Sequence, residues 1–300
     1  MENKAYIALF ISVVSVSFAA IFIVSCDAPA LSIAFYRLLF TALLISPFVI
    51  FHKKTRKELL SLPRSTLIIM CGIGIILAAH FALWITSLEL TSVASSVILV
   101  TSHPLLVGPV SHFFLKERLS AVNTAGIILS VVGVIILVYG NYGFVSGLDT
   151  LEGNILAILG GIAAGLYILG GRKLRKTVSI GSYAFVVYIV GTVVLFIICL
   201  LFSAPVINLS LRDYGIIFLM AIVAGIFGHT LYNWSLKHIR ASVASVVLLG
   251  EPIGSSLLAF TLPWIQQIPS NYTIVGGMVI LLGIYLTARK TMGAESLKNI

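Results

Sequence analysis

Charged residues are scarce in this chain, and their scarcity already excludes most classes of protein. Only 10% of the 300 residues are Asp, Glu, Lys or Arg, whereas 59% are hydrophobic. Soluble domains average about 25% charged residues. A soluble domain as apolar as this one would have to expose large hydrophobic patches to water. A lipid bilayer removes that difficulty, so the composition predicts an integral membrane protein rather than a soluble enzyme.

Motifs for metal, nucleotide or nucleophile chemistry are missing as well. The three cysteines are odd in number and include no CxxC pair, which argues against a disulfide framework or a metal site. The stretch Gly170–Lys173 lacks the leading glycine and the Lys-Ser/Thr ending of a phosphate-binding loop. Neither HExxH nor GxSxG occurs. We therefore expect no catalytic residues, no metal, no cofactor and no use of ATP.

Apolar runs of membrane-spanning length occupy most of the chain. A transmembrane helix needs about 20 mostly apolar residues. Windows of that size give ten candidates joined by short connections: 5–25, 31–51, 66–88, 92–114, 122–139, 153–171, 180–202, 213–236, 241–263 and 272–289.

The net charge of +9 follows membrane topology rather than a nucleic-acid surface. If the N-terminus is cytoplasmic, 17 of the 19 lysines and arginines fall in cytoplasmic segments. Arg212 is then the single basic residue outside, and Arg37 lies within a helix. Basic residues accumulate in cytoplasmic loops, and a missed or invented helix would scramble the pattern. The charge distribution therefore predicts an all-α membrane protein of ten helices with both termini in the cytoplasm and no nucleic-acid partner.

An internal repeat relates two parts of the chain at an offset of 148 residues. Leu83–Leu88 reads LWITSL and Leu231–Leu236 reads LYNWSL. The same offset carries the pair His103–Pro104 onto Glu251–Pro252. At an offset of 150, glycines of the fifth candidate helix fall on glycines of the tenth. The pattern indicates a duplicated unit.

The repeat predicts two halves of five helices each, residues 1–145 and 146–300. Because five is an odd number, the second unit enters the membrane from the opposite side, so the two halves are inverted repeats. Inverted repeats are frequent in transporters, where rocking of one half against the other exposes a central site to each side in turn. A duplication retained only for packing is the alternative.

Several short motifs occur together in an order that is typical of one family. They are Arg37 in the second helix, Thr91–Ser96 leading to Pro104, Glu117–Leu119 thirteen residues later, and Arg240–Ser245 leading to Glu251–Pro252. In these features nearly the whole chain resembles the EamA-type members of the drug/metabolite transporter superfamily. Two features depart from that family: Trp264–Gln267 stands where a second Glu-Arg-Leu turn is usual, and Phe18 lies near the place of a common Trp.

The resemblance implies a secondary transporter in the cytoplasmic membrane. The expected substrate is a small polar metabolite, an amino acid or a related compound, and the expected direction is export, with proton coupling as one mechanism. A homodimer is left open. A membrane-embedded enzyme, or a membrane protein that binds a partner without transporting anything, is the alternative function.

Ionisable side chains inside a bilayer are expensive, so each one is a candidate for function. His80 and Trp84 share one helix face. His229, Tyr232 and Asn233 share another by three- or four-residue spacing, and the two sets lie near equivalent places in the two halves. With the arginine of the second helix, they predict a substrate cavity lined by His80, Trp84, His229, Tyr232, Asn233 and Arg37. Arg37 would hold a substrate carboxylate. For the histidines the alternative is ordinary helix packing, and for Arg37 it is a structural tie between helices.

A second set of residues predicts proton coupling or gating: Glu251, His103, Pro104 and Pro252. Burial disfavours a charged carboxylate, which suits proton exchange at Glu251. Each proline deprives the carbonyl four residues earlier of its usual partner, and we expect a kink at both places. A structural hydrogen bond from Glu251 to a neighbouring helix is the alternative.

Overall fold

The computed structural model describes residues 2–91, 96, 99–142, 151–261 and 270–289, and these residues are nearly all helical. The helices are α1 (Glu2–Val24), α2 (Ala30–Phe51), α3 (Lys53–Ser61), α4 (Arg64–Leu90), α5 (Pro104–Phe114), α6 (Ala121–Tyr142), α7 (Leu151–Leu174), α8 (Ile180–Leu201), α9 (Leu211–Ser235), α10 (Ala241–Val247), α11 (Glu251–Thr261) and α12 (Asn271–Ala288).

Six of the described helices are long and apolar enough to cross a membrane: α1, α2, α4, α7, α8 and α9. Three shorter apolar stretches follow the same pattern, Ala121–Leu137, Ala241–Ser255 and Ile274–Ala288. The predicted span 92–114 lies partly outside the described residues, and its described end is α5. The all-α membrane architecture is therefore confirmed, while the number ten remains a prediction. The basic connection that follows α2 forms the short helix α3.

The outer surface of the molecule is hydrophobic. Phe10, Phe51 and Phe114 are exposed, Phe51 to the extent of 81%. A surface with this many large apolar side chains is stable only where lipid tails replace water. The pattern agrees with a helix bundle that is solvated by a bilayer.

Small residues allow α6 and α12 to pack closely. A Cβ atom added to Gly126 would lie 2.7 Å from the Gly283 carbonyl oxygen, and one added to Gly133 would lie 2.9 Å from that of Gly276. Such close approach between membrane helices is typical of small residues at the interface. As residue numbers increase along α6, the residue numbers of its contacts in α12 decrease, so the two helices run antiparallel. These are the glycines that the 150-residue offset relates.

The central core is built from helices of both halves. α4 packs against α7 and α8, α2 against α8, and α1 against α9. Tyr183 and Tyr188 of α8 are among the largest fully buried side chains. This arrangement places α2, α4, α8 and α9 around a common interior.

Candidate functional site

A cavity lies in that common interior, between the two halves of the chain. Its enclosed volume is about 10 Å³, roughly the space of one water molecule, and the empty space is about 210 Å³ when the open solvent at its mouth is counted. It is lined from the first half by α2 and α4 and from the second half by α8 and α9, through Arg37, Leu38, Thr41, Leu77, Phe81, Tyr188, Gly225 and His229. The site predicted from the sequence contributes two of these residues, Arg37 and His229.

Arg37 is the permanent charge of the cavity. Its side chain is buried, with the residue 3% exposed, and its NH1 nitrogen has no hydrogen-bond partner in the described part of the protein. The guanidinium carbon lies 4.7 Å from the centre of the Phe81 ring, a cation–π contact that covers one face. Because a buried charged donor without a partner is costly, this edge of Arg37 is suited to bind an anionic ligand.

His80 and Trp84 form a stacked pair next to the cavity on α4. Their ring centres are 5.8 Å apart at an interplanar angle of 11°, and His80 Nδ1–H donates to the Gly160 carbonyl at 2.9 Å. That bond leaves Nε2 as the other functional nitrogen of the ring. His80 lies next to Phe81, with ring centres 5.2 Å apart, but neither His80 nor Trp84 lines the cavity itself.

His229 and Asn233 form the corresponding group in the second half. The His229 ring meets the Phe81 ring edge-on, with centres 5.4 Å apart. Asn233 Nδ2 donates to the His229 carbonyl at 2.7 Å and to the Tyr167 hydroxyl at 2.5 Å. Tyr232 is buried in the core next to this group and does not line the cavity. Phe81 therefore connects Arg37, His80 and His229.

The middle of α9 is a π-helix, Ala221–Thr230, and it carries both second-half residues of α9 that line the cavity. π-helical segments are rare and often mark functional sites. Gly225 permits this segment to press against α2, since an added Cβ would lie 2.2 Å from Thr41 Oγ1. The Thr230 hydroxyl donates to the Gly225 carbonyl at 3.0 Å and lies 3.1 Å from the Tyr188 hydroxyl. These bonds hold the widened turn in place.

Glu251 lies at the start of α11, close enough to Arg37 to interact electrostatically. No nitrogen–oxygen distance between the two described side chains is within 4.0 Å, so they form no ion pair. Pro252 follows in the first turn of α11. The Leu248 carbonyl accepts a hydrogen bond from the Glu251 backbone N–H, which closes a short 3-10 turn. The expected kink is thus a change of helix type that satisfies this carbonyl.

The equivalent place in the first half is a break between helices. Ser102 and His103 form a turn, and Pro104 is the first residue of α5. Proline at a first helical position loses no hydrogen bond. In place of the expected kink, the structure has the start of a helix. His103 is buried, its Nδ1 nitrogen has no hydrogen-bond partner among the described residues, and it interacts electrostatically with His80.

Another buried arginine, Arg172, lies in the last turn of α7, and no sequence motif singled it out. Arg172 Nε donates to Glu117 Oε1 at 2.5 Å, and its NH1 donates to the carbonyls of Leu236 and Lys237 at 2.6 and 2.9 Å. The other carboxylate oxygen of Glu117 accepts from the Ala241 N–H at 2.8 Å. This network, here called the Glu117–Arg172 network, ties the end of α5 to α7, α9 and α10.

Within the described residues, no group of three or more His, Cys, Asp and Glu side chains could hold a metal ion. The charged and polar groups of the cavity suit reversible binding of a small molecule.

Comparison with known proteins gives two matches to one family model, the EamA-like transporter family, at residues 3–139 and 151–289. The uncharacterized transporter YyaM of Bacillus subtilis (strain 168) is 24% identical over 243 residues, which cover 80% of this chain and 78% of that protein. An uncharacterized transporter of Archaeoglobus fulgidus is 24% identical over 269 residues, covering 86% and 88%.

One solved crystal structure of a protein shares the fold, with a TM-score of 0.79 at 17% identity, over 97% of this chain and all of that one. The two family matches together cover most of the sequence, and each lies in one of the two parts that the internal repeat relates. The chain therefore belongs to the EamA-like transporter family and is a multi-pass membrane protein built from two EamA repeats.

Proposed function

We propose that the protein is a secondary active transporter that moves a small polar metabolite, an amino acid or a related compound, across the cytoplasmic membrane by alternating access. In this proposal the chain crosses the membrane ten times with both termini in the cytoplasm. Residues 1–145 and 146–300 are the two inverted five-helix halves. A homodimer remains a prediction.

The observation that carries the proposal is the cavity between the halves. Five of its lining residues come from the first half and three from the second, and it contains a buried guanidinium whose NH1 has no hydrogen-bond partner in the described protein. A site between two repeats changes shape when one repeat rocks against the other. Alternating access requires a site in this position.

The antiparallel packing of α6 and α12 supports the inverted relation. These are the last helices of the two halves, and the repeat-related glycines meet crosswise, Gly126 with Gly283 and Gly133 with Gly276. An axis in the membrane plane exchanges equivalent helices and reverses their direction, which is the arrangement these contacts favour.

Within the site, Arg37 and His229 would contact the substrate. His80 and Trp84 would shape one flank of the site through Phe81. Asn233 and Tyr232 would shape the other flank through the His229 carbonyl.

Glu251 would couple transport to protons. Its electrostatic interaction with Arg37 without a direct ion pair supports competition between proton and substrate for one charged region. His103, Pro104 and Pro252 would serve gating, since both prolines lie in the first turn of a helix at equivalent points of the two halves. Glu251→Gln keeps the shape of the side chain and removes its titration.

Flux into reconstituted vesicles tests the function. We expect saturable counterflow of at least one amino acid or related metabolite, its loss in Arg37→Gln, and its retention in Phe51→Ala, whose side chain is exposed on the outer surface.

Glu251→Gln should permit exchange but lose accumulation driven by a pH gradient. Uphill accumulation in Glu251→Gln equal to that of the parent would assign Glu251 a structural role. Conversion of the added compound into a product without counterflow would support a membrane enzyme instead.

Thiol labelling of intact cells tests the topology. Cysteines introduced at 53–64 and 172–176 should react only from the cytoplasm, and cysteines at 142–150 only from outside. Labelling of position 54 from outside would overturn the ten-helix topology.

A further inference from the structure

The charge of the cavity lining is one-sided. Arg37 is the only Lys, Arg, Asp or Glu among the lining residues, and the remainder are apolar or carry hydroxyl or imidazole groups. The apolar wall consists of Leu38, Leu77 and Phe81. A ligand for this cavity therefore needs a negative group for Arg37 and an apolar body for the wall.

The two hydroxyl groups of the lining and one backbone carbonyl are already engaged in hydrogen bonds within the protein. Thr41 Oγ1 donates to the Arg37 carbonyl at 2.7 Å, and the Tyr188 hydroxyl pairs with Thr230 at 3.1 Å. The His229 carbonyl accepts from Asn233. An ammonium group would enter beside a guanidinium of the same charge, and the lining offers it no carboxylate. The lining therefore favours binding of a carboxylate over binding of an ammonium group.

Glu251 is the acidic residue that interacts electrostatically with Arg37, but it does not line the cavity and makes no ion pair with it within 4.0 Å. It balances the arginine charge from a distance and leaves the NH1 edge open. If Glu251 bound a substrate ammonium, the substrate would have to extend past Arg37 and out of the lining described here.

We propose that the substrate is a small monocarboxylate without a charged amine, whose carboxylate binds the NH1 edge of Arg37 while its apolar body lies against Leu38, Leu77 and Phe81. The inference rests on the proposed transport function and narrows it: the favoured substrates are amino-acid relatives that lack the amino group. Phe81 would hold Arg37 in position through its ring face.

Matched ligands test this proposal on the purified parent protein, without any substitution. Isocaproate and leucine share one carbon skeleton, from which isopentylamine lacks only the carboxyl carbon, and hydrocinnamate, phenylalanine and phenethylamine are related in the same way. Binding is measured by calorimetry and thermal shift in detergent, because protonated monocarboxylates cross vesicles unaided. We expect one carboxylate to bind on the order of tenfold or more tightly than its amino acid, and the amine not to bind.

Variants then connect the binding to Arg37. Arg37→Gln should lose carboxylate binding by on the order of tenfold or more, and Arg37→Lys should retain part of it, because Lys keeps the charge and loses the fork of donors. Arg212→Gln is the matched control, since Arg212 is exposed at the surface. Tighter binding of either amino acid than of its carboxylate, or unchanged binding in Arg37→Gln, would overturn the substrate class.

The result also separates this proposal from the transport function. If an amino acid binds and shows counterflow, the substrate class is wrong and transport stands. If a carboxylate binds at Arg37 but reconstituted protein does not exchange it across vesicles above the passive rate, the substrate class stands and transport fails.

Discussion

Two buried arginines, Arg37 in the cavity and Arg172 near the end of α7, differ in how their charges are satisfied. Arg172 pairs with Glu117 and with two backbone carbonyls, whereas Arg37 has an aromatic face against it and an NH1 nitrogen without a partner in the described protein. A buried charge that is fully paired maintains a structure, and one that is left open is available to a ligand. The same residue type therefore serves two purposes in one helix bundle.

Their neighbourhoods differ in the same way. The Glu117–Arg172 network joins helix ends from both halves, and it would have to rearrange if those ends separate during rocking. Arg37 lies where the halves face each other across unfilled space. Substitutions should therefore affect stability at one arginine and binding at the other.

Glu117→Ala should produce the largest change. It leaves Arg172 charged and buried without its carboxylate, which costs about 3–5 kcal/mol for a buried pair. Thermal unfolding in detergent measures the loss. Asp27→Ala is the control, because the Asp27–Arg212 pair is exposed and should change little. A melting temperature for Glu117→Ala equal to that of the parent would contradict the structural role of the network.

Gly225→Ala tests whether close packing shapes the Arg37 region. The added methyl group would meet Thr41, and overpacking of this kind costs about 1–3 kcal/mol. Thr41→Ala in the same chain removes the contacting atoms and should recover most of the stability. Additive losses in the double variant, measured by thermal unfolding, would show that the two residues do not meet.

Arg37→Met should reduce carboxylate binding strongly while changing stability little. Removing a buried charge that has no ion-pair partner relieves its desolvation cost, and this offsets the lost contact with Phe81, about 0.5–2 kcal/mol, and the lost longer-range interaction with Glu251. Calorimetry and thermal unfolding on the same sample separate the two quantities. A large drop in the melting temperature of Arg37→Met would show that Arg37, like Arg172, has a structural role.

Glu58 on α3 should show the smallest effect, through pH. Burial by itself would raise the pKa of this carboxyl, but hydrogen bonds from Ser179 and Ser182 outweigh burial and lower the pKa below its ordinary 4.5. Because the folded pKa is the lower one, the contribution is present above pH 4.5 and is lost as pH falls through the folded pKa. The stability difference between parent and Glu58→Gln should shrink on acidification, and a difference that grows would contradict this.

Sequence reasoning predicted the helices well because apolar length dominates membrane proteins. It found Arg37 and His229 because ionisable residues in apolar runs are conspicuous. It did not single out Phe81, since an aromatic residue within an apolar run resembles core packing. Glu117 belongs to a family motif and Arg172 to a basic stretch, but nothing in the sequence pairs them, and only the tertiary structure does.

Local helix geometry was the other feature that the sequence pattern did not predict. The π-helix of Ala221–Thr230 has the same apolar composition as an α-helix, and its widened turn depends on the contact of Gly225 with α2. At His103–Pro104 the sequence predicted a kink, and the chain there starts a new helix. Whether a proline bends or begins a helix is decided by the packing around it.

Accessibility of the cavity from each side of the membrane tests the central claim most directly. Thr41→Cys introduces a thiol at the lining, in a chain whose native cysteines, Cys26, Cys71 and Cys199, are replaced. An impermeant maleimide is applied to either face of oriented vesicles, with and without a bound carboxylate. The account predicts labelling from both faces and protection by the carboxylate. Labelling from one face under every condition would contradict alternating access at this cavity.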